Sequence, residues 1–283
     1  MRKTLTHCLI VATLGLTGVG SSAAVATVDN AVRPVHRAAA PAAASDYTTT
    51  NWSGYVVKAS SAVISNGVGD WVVPEVDCSI TKNGNTSIWV GEGGFVSNDT
   101  LYQTGTESVC TNGKARYYAW WEIVPGFTEQ PWSSAKYPVA PRDHIQGIVY
   151  NIGGNTYLTL NNFGKAWGQG SQPTKWNVTK VVNKPASRSF ECVLERPDGT
   201  PRPALSDFAT AVFPAVTGIT GSIPGCEAVT PSGVVRPAWS GQPAYAGITN
   251  ERVLLVNGRN QPLVTVQAPT ATGGFVEGWL QSS

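Results

Sequence analysis

Residues 189–199, SFECVLERPDG, place two glutamates four positions apart inside a short apolar run. Side chains alternate between the two faces of a β-strand, so a strand here would carry Glu191, Val193 and Glu195 on one face. Cys192 and Leu194 would occupy the other face. The pattern predicts a sheet that is buried on one side and carries carboxyl groups on the other.

The rest of the chain supplies many similar runs. They are rich in Val, Tyr, Trp and Thr, are about five to eight residues long, and are separated by clusters of Gly, Pro, Asn and Ser. The predicted strands are SGYVVKA, DWVVPEV, TSIWVGEGG, ARYYAWWEIVP, HIQGIVYNI, TYLTLNNF, KWNVTKVV, SFECVLER, FATAVFPAV and LVTVQA. Gly153-Gly154 marks a hairpin turn. No stretch keeps a helical period, so we predict an all-β fold, a jelly-roll-like sandwich of two antiparallel sheets.

The N-terminal segment has the pattern of an export signal. Residues 1–26 begin with Arg2 and Lys3, continue with an apolar run and end in Ala24-Val25-Ala26. Residues 27–45 are rich in Ala and Pro and are interpreted as a propeptide or linker. We therefore expect a secreted protein whose single β-sandwich domain occupies residues 46–283.

Charge excludes two classes of partner. Four of the 20 basic residues and one of the 18 acidic residues lie in residues 1–44, which leaves 16 basic and 17 acidic residues in the remainder. This near-neutral balance, without a basic run, argues against nucleic acid and against an anionic membrane as partners. We also expect a monomer.

Four cysteines remain after the predicted signal: Cys78, Cys110, Cys192 and Cys226. In an exported chain they predict two disulfides, for which three pairings are possible. Proximity in the sequence favours Cys78–Cys110 with Cys192–Cys226. Their spacing is not typical of a zinc site, and we expect neither a metal nor another cofactor.

Histidine chemistry is largely excluded. Of the three histidines, His7 lies in the predicted signal and His36 in the predicted propeptide, so only His144 remains. No serine motif accompanies it. If the protein is an enzyme, carboxyl and amide groups must therefore do the chemistry.

Two further predicted strands carry tryptophan on one face. Alternation groups Tyr118, Trp120 and Glu122 on one face of a strand, and Trp89 with Gly91 on a face of another. Together with the glutamates at 191 and 195, such a sheet would combine acids with aromatic walls. This composition is typical of a cleft that binds a polymer.

At this point the motifs resemble those of the glutamic peptidase family, the eqolisins. Six elements follow in the expected order: NWSGY at 51, WVVP at 71, IWVGEGG at 88, LYQTG at 101, YYAWWEIVP at 117 and FECVLERP at 190, with LSDFATAVF after it. The resemblance runs from Asn51 to about Phe213. It implies a secreted, acid-acting endopeptidase with a concanavalin-like β-sandwich and polypeptide substrates.

The resemblance also implies site residues. The catalytic pair would be Gln103 of the Gln-Thr-Gly segment and Glu195, with Glu191 as a non-catalytic companion. Substrate-binding or supporting positions would be Trp52, Trp89, Trp120 and Glu122.

The chain departs from the family pattern at two places in its motifs and in the positions of its cysteines. Fungal members have an acid two positions after the WVG glycine, where this chain has Gly93 and shifts the acid to Glu92. The segment after Glu122 is also less aromatic. These differences concern subsite shape more than the reaction.

The expected mechanism needs no histidine. Ionised Glu195 takes a proton from a water molecule, the water attacks the scissile carbonyl, and the Gln103 amide stabilises the oxyanion. Glu195 then returns the proton to the leaving amine. Because an isolated glutamate has a pKa of about 4.3, we expect it to act as a base in acid without a large shift.

Two alternative functions fit the same residues. A β-sandwich glycoside hydrolase uses two carboxylates about 5–9.5 Å apart. Glu191 and Glu195 would be roughly 13 Å apart along a strand, so Glu122 with Glu195 would suit better. A carbohydrate-binding module would use the tryptophans alone. In any of these functions, Arg33, His36 and Arg37 of the leader are either a passive spacer or a basic segment that covers an acidic cleft.

Overall fold

The computed structural model describes an all-β protein. It covers residues 45–60, 64–96, 99–164, 176–183, 187–214, 216–219, 221–223, 225–230, 233–235, 248–270 and 273–283. These residues belong to one compact unit. None of them forms a helix that could cross a membrane. The predicted signal and nearly all of the predicted propeptide lie outside the described residues, while β1 begins at Ser45.

The described residues form twenty strands. In chain order they are β1 Ser45–Thr49, β2 Trp52–Ala59, β3 Asn66–Val72, β4 Gly84–Glu92, β5 Leu101–Thr111, β6 Lys114–Val124, β7 Phe127–Pro131, β8 His144–Ile152, β9 Asn155–Gly164, β10 Trp176–Asn183, β11 Ser189–Glu195, β12 Ala204–Leu205, β13 Thr210–Phe213, β14 Val216–Ile219, β15 Gly221–Ile223, β16 Cys226–Thr230, β17 Gly233–Val235, β18 Ile248–Leu255, β19 Val264–Val266 and β20 Phe275–Trp279.

Two nine-stranded sheets make the sandwich. The first sheet has the order β1-β18-β2-β11-β4-β5-β6-β7, with β12 beside β4. The second has the order β10-β9-β8-β3-β13-β20-β19, with β16 beside β3 and β17 beside β16. A separate pair, β14 and β15, completes the described strands. The sheets are antiparallel as predicted, except that β1 pairs with β18, and β12 with β4, in parallel.

The core lies between the facing sides of the two sheets. Tyr55, Ile88 and Phe190 of the first sheet and Trp71 and Phe213 of the second are almost completely buried there. Burial of each such side chain stabilises the fold by roughly 1.5–3 kcal/mol before entropy costs are counted. The Trp71 indole also donates to the Thr106 hydroxyl, which ties the layers together at 2.8 Å.

The disulfides follow the pairing that proximity favours. Cys78 is bonded to Cys110 and Cys192 to Cys226. The second bond joins β11 of the first sheet to β16 of the second.

Most predicted strands are confirmed, including the hairpin turn, where Gly153 and Gly154 both have positive φ. The prediction for DWVVPEV is wrong after Val72, because Pro74 has no amide hydrogen for a ladder bond. Among the strands that the sequence analysis did not name are β5 and β20, which prove important for the site.

Candidate active site

The site is built on the face of the first sheet that points away from the second sheet. We call it the carboxyl face, and it is formed by alternate residues of five neighbouring strands, β2, β11, β4, β5 and β6. Their pairing aligns these residues in three rows across the sheet. The first row is Val56, Glu191, Gly91, Gln103 and Glu122; the second is Gly54, Val193, Trp89, Gly105 and Trp120; the third is Trp52, Glu195, Ser87, Glu107 and Tyr118.

Gln103 occupies the first row. Its side chain is buried, and its Nε2 donates to Glu122 Oε2 at 2.7 Å. Its Oε1 accepts no hydrogen bond from any described group. Because buried amide oxygens are almost always hydrogen-bonded, water is the expected partner of this oxygen in solution.

Glu195 occupies the third row, at the end of β11. The Trp89 indole donates to its Oε2 at 2.6 Å, and the Asn51 amide lies 3.4 Å from its Oε1. Burial raises the pKa of Glu195 to about 7, and repulsion from Asp198 and Glu122 adds to this, while hydrogen bonds from Trp89 and Trp52 oppose it. The expectation of an unshifted glutamate is therefore wrong.

One indole connects the rows of Gln103 and Glu195. Trp89 lies in the row between them, fully buried, and its Nε1 contacts Glu195. Its Cζ3 lies at the opposite end of the ring, 2.8 Å from where a Cβ on Gly91 would be, and that same position is 3.3 Å from Gln103 Cβ. The two predicted catalytic residues thus flank a single ring, although no direct hydrogen bond joins them within the described chain.

The glycines of two motifs make room for this ring. A Cβ on Gly105 would lie 2.4 Å from the Ile88 carbonyl oxygen and 2.5 Å from Trp89 Cβ, so any larger residue would collide. Between Gln103 and Gly105, the Thr104 hydroxyl points to the other face and donates to the Trp120 carbonyl at 2.7 Å. The Gln-Thr-Gly sequence therefore has a structural reason at each position.

The tryptophans support the site rather than line a surface. Trp89 and Trp120 are 0% and 2% exposed, and Trp120 donates to Ser87 Oγ at 3.1 Å. Trp52 is half-buried and packs edge-on against Trp89, with 4.9 Å between ring centres. Of the three, only Trp52 is exposed enough to meet a substrate.

Glu122 has a raised pKa. Burial is the largest cause, and repulsion from Glu129 is the next. Its hydrogen bond to Gln103 opposes the shift. Glu122 thus lies where the sequence placed it, beside Gln103, and it fixes the direction in which that amide points.

Glu92 and Glu191 have different positions. Glu92, the shifted acid of the GEGG segment, points into the interior, where it accepts from Asn151 Nδ2 at 2.7 Å and from the Ser187 amide at 2.8 Å. It is therefore absent from the carboxyl face. Glu191 lies on that face, fully buried, in register with Gly91 and Gln103.

Glu107 is a residue of this face that the sequence analysis missed. It lies in the row of Glu195, separated from it by Ser87, and is 1% exposed. Burial raises its pKa well above the usual value, with Glu129 and Glu195 adding repulsion. Alternation continued from Gln103 through Gly105 would have predicted its position, had LYQTG been interpreted as the start of a long strand.

The sandwich thus presents an amide, carboxyl groups and buried indoles on one sheet face, the residue types expected of a hydrolase that uses carboxyl groups for acid–base chemistry. Residues 50–233 match the model of the Peptidase A4 family. The match covers more than half of the chain, which therefore belongs to this family. It is a glutamic endopeptidase, and its substrates are polypeptides.

Solved structures agree on the fold. Scytalido-glutamic peptidase, bound to a peptide-based transition-state analogue, is 15% identical with a TM-score of 0.58, over 82% of this chain and 98% of that one. SCP-B, an eqolisin in complex with the tripeptide Ala-Ile-His, is 14% identical with a TM-score of 0.53, over the same shares. No curated protein sequence matches closely enough to count as a relative. The glycosidase and carbohydrate-binding alternatives are not retained.

Proposed function

We propose that the protein is a secreted acid endopeptidase in which Gln103 and Glu195 act together on a water molecule and the scissile peptide bond. The proposal is supported by the position of both side chains on one sheet face and by the resemblance of the Gln-Thr-Gly and FECVLER segments to the catalytic segments of the family. Residues 1–26 would direct export, and residues 27–45 would be removed or would remain as a linker.

Gln103 serves as the electrophile. One Nε2 hydrogen is held by Glu122, which leaves the second for the oxyanion that forms when water attacks the carbonyl carbon. Because Glu122 fixes the amide beforehand, the amide needs no reorientation during the reaction.

Glu195 enters the reaction as a neutral acid. With its pKa near 7, the carboxyl carries a proton at pH 3–4, and a protonated carboxyl can donate with one oxygen while it accepts with the other. The attacking water gives a proton to the accepting oxygen, and the carboxyl's own proton passes to the leaving nitrogen. The C–N bond breaks, and Glu195 ends the cycle neutral.

Exposure distinguishes the two glutamates, and the 3% exposure of Gln103 is closer to that of Glu191. Glu191 lies nearer to Gln103 in register but is fully buried, whereas Glu195 at the strand end is partly exposed. A substrate can reach a carboxyl at the end of β11 without opening the sheet. The two glutamates are matched in strand and face, so they provide controls for each other.

The test compares Glu195→Gln, Gln103→Ala and Glu191→Gln in the mature protein. With denatured protein as substrate at about pH 3–4, we expect Gln103→Ala to lose roughly 10²–10³ in kcat. Glu195→Gln should lose at least as much, whereas Glu191→Gln should stay active. A folded Glu195→Gln protein that cleaves near the wild-type rate would refute the dyad, and loss in Glu191→Gln alone would move the acid–base role to that residue.

The pH profile tests the protonation state. If neutral Glu195 is the reactive form, kcat/KM is constant in acid and falls as the pH rises through about 7. If the carboxylate were the reactive form, kcat/KM would instead fall as the pH drops below about 7. The direction of this limb, measured on a small peptide substrate, distinguishes the two mechanisms.

A further inference from the structure

Another buried glutamate, on the second sheet, lies directly beneath the strand that carries Glu195. Glu277 is on β20 of the second sheet and is completely buried. In its own sheet it is in register with Ala211 and Val266, which are apolar. No ion pair in the described part of the chain includes it, so its environment disfavours a charge.

Glu277 reaches the first sheet through one hydroxyl group. Its Oε2 makes a short contact with Ser53 Oγ, and the same Oγ lies 3.3 Å from the Leu194 carbonyl oxygen. Ser53 follows Trp52 in β2, and Leu194 precedes Glu195 in β11, in register with Ser53. The hydroxyl therefore sits under the end of the catalytic strand.

The number of hydrogens defines the state of this network. Serine has a single hydroxyl hydrogen and two lone pairs. If Glu277 is neutral, it donates to Ser53, and Ser53 donates to the Leu194 carbonyl. If Glu277 is ionised, the serine hydrogen must turn to the carboxylate, and the carbonyl loses this donor. Both observed contacts are hydrogen bonds only in the neutral state.

The surroundings favour that state. Burial raises the pKa of Glu277 to about 8, and the hydrogen bond from Ser53 opposes the shift. The titratable group that faces it from β2 is Tyr55, whose pKa burial also raises, and whose hydroxyl donates to the Gln267 carbonyl at 2.8 Å. Beyond Tyr55, Arg252 is paired with Asp46 at 2.7 Å. Thus no cation of the described network neutralises a Glu277 carboxylate.

We propose that Glu277 is a positioning residue for catalysis: as a neutral acid it orders Ser53, the Leu194 carbonyl and hence the strand end that carries Glu195. When Glu277 loses its proton, the hydrogen bond to β11 is lost and that strand end loosens. The proposal rests on the function proposed for Glu195. It adds an upper pH limit to activity, which is set by a residue outside the carboxyl face.

Three variants test it. Glu277→Gln keeps a neutral donor of the same shape, Glu277→Leu keeps the apolar volume without the donor, and Glu75→Gln is the control at an exposed carboxyl. At pH 4 we expect Glu277→Leu to lower kcat about tenfold with KM within twofold, because the group acts through Glu195 and not on the substrate. Glu277→Gln should restore kcat to within about twofold of the wild type, which a purely volumetric role would not predict.

Thermal unfolding provides a readout that is independent of activity. From about pH 5 to 8 the wild-type unfolding constant should rise, relative to that of Glu277→Gln, by up to about tenfold per pH unit. The Glu75→Gln protein should follow the wild type. Parallel wild-type and Glu277→Gln curves, or a Glu277→Leu protein with wild-type kcat, would overturn the proposal; if Glu277→Leu does not fold, the former comparison decides.

The same unfolding series in a Glu195→Gln background separates the two proposals. An active Glu195→Gln enzyme would refute the dyad, yet the pH dependence of unfolding would still report on Glu277. An inactive Glu195→Gln enzyme with no stability difference between Glu277 and its glutamine variant would refute only the role of Glu277.

Discussion

Gln103 depends on Glu122 for the orientation of its amide. The 2.7 Å hydrogen bond between them is the single contact that fixes which hydrogen of Nε2 is free for substrate. A carboxyl that holds a catalytic amide should affect kcat more than KM, because it contacts the amide rather than the peptide.

We therefore predict that Glu122→Leu lowers kcat by about 10-fold to 100-fold while KM stays nearly constant, since small misplacements of a catalytic group have costs of this order. Glu122→Gln, which keeps an acceptor oxygen, should recover most of the loss. Steady-state kinetics at pH 4 measure both. Glu75→Gln is the control, because Glu75 is an exposed carboxyl that pairs with Arg142. An unchanged kcat in Glu122→Leu would show that the amide orients itself.

At the scale of the strand, the packing of β5 explains why the Gln-Thr-Gly motif ends in glycine. This strand crosses the middle of the first sheet, and its Gly105 lies directly against Trp89 of β4. Trp89 in turn holds Glu195. Strand packing and the position of the proposed catalytic carboxyl are thus connected through one close approach.

We predict that Gly105→Ala destabilises the protein by about 2 kcal/mol, as expected for overpacking of a filled interior. It should also lower kcat, because the added methyl group displaces Trp89 from Glu195. Urea unfolding and kinetics test both effects. Gly258→Ala is the control, because no atom lies within 4 Å of its added Cβ. If Gly105→Ala unfolds like the control, the close approach does not constrain Trp89.

The limits of sequence interpretation also appear at this scale. Alternation correctly grouped Glu191 with Glu195 and Trp120 with Glu122, because both strands have one apolar and one polar face. It did not predict the complete burial of β5, since QTGTES looks like a solvated segment although every residue from Leu101 to Cys110 is buried. Tertiary contacts from both neighbouring strands override that composition. Glu107 was missed for the same reason, and Glu277 was missed because the run FVEGW was not interpreted as a strand.

At the scale of the whole molecule, four buried carboxyl groups of the described residues have a pKa shifted in the same direction. Burial raises the pKa of Asp70, Glu107, Glu195 and Glu277, which belong to both sheets. In the unfolded chain such groups titrate near 4. The folded protein therefore binds more protons than the unfolded chain between about pH 4 and the raised values.

The difference in proton binding fixes the sign of the pH dependence of stability. Where the native state binds more protons, the free energy of unfolding falls as the pH rises, so this stabilisation is complete below about pH 4 and is lost through about pH 7–8. The shift of Glu277 alone corresponds to on the order of 5 kcal/mol, a large fraction of the stability of a typical domain.

We predict that the melting temperature is highest in acid and falls steadily towards pH 8. Calorimetry across pH 3–8 measures it, and the Glu195→Gln, Glu277→Gln double variant should flatten the curve. A melting temperature that rises between pH 5 and 8 would mean that these carboxyls are ionised in the folded state. Activity in acid would then depend on the proposed catalytic groups alone and not on the buried carboxyls.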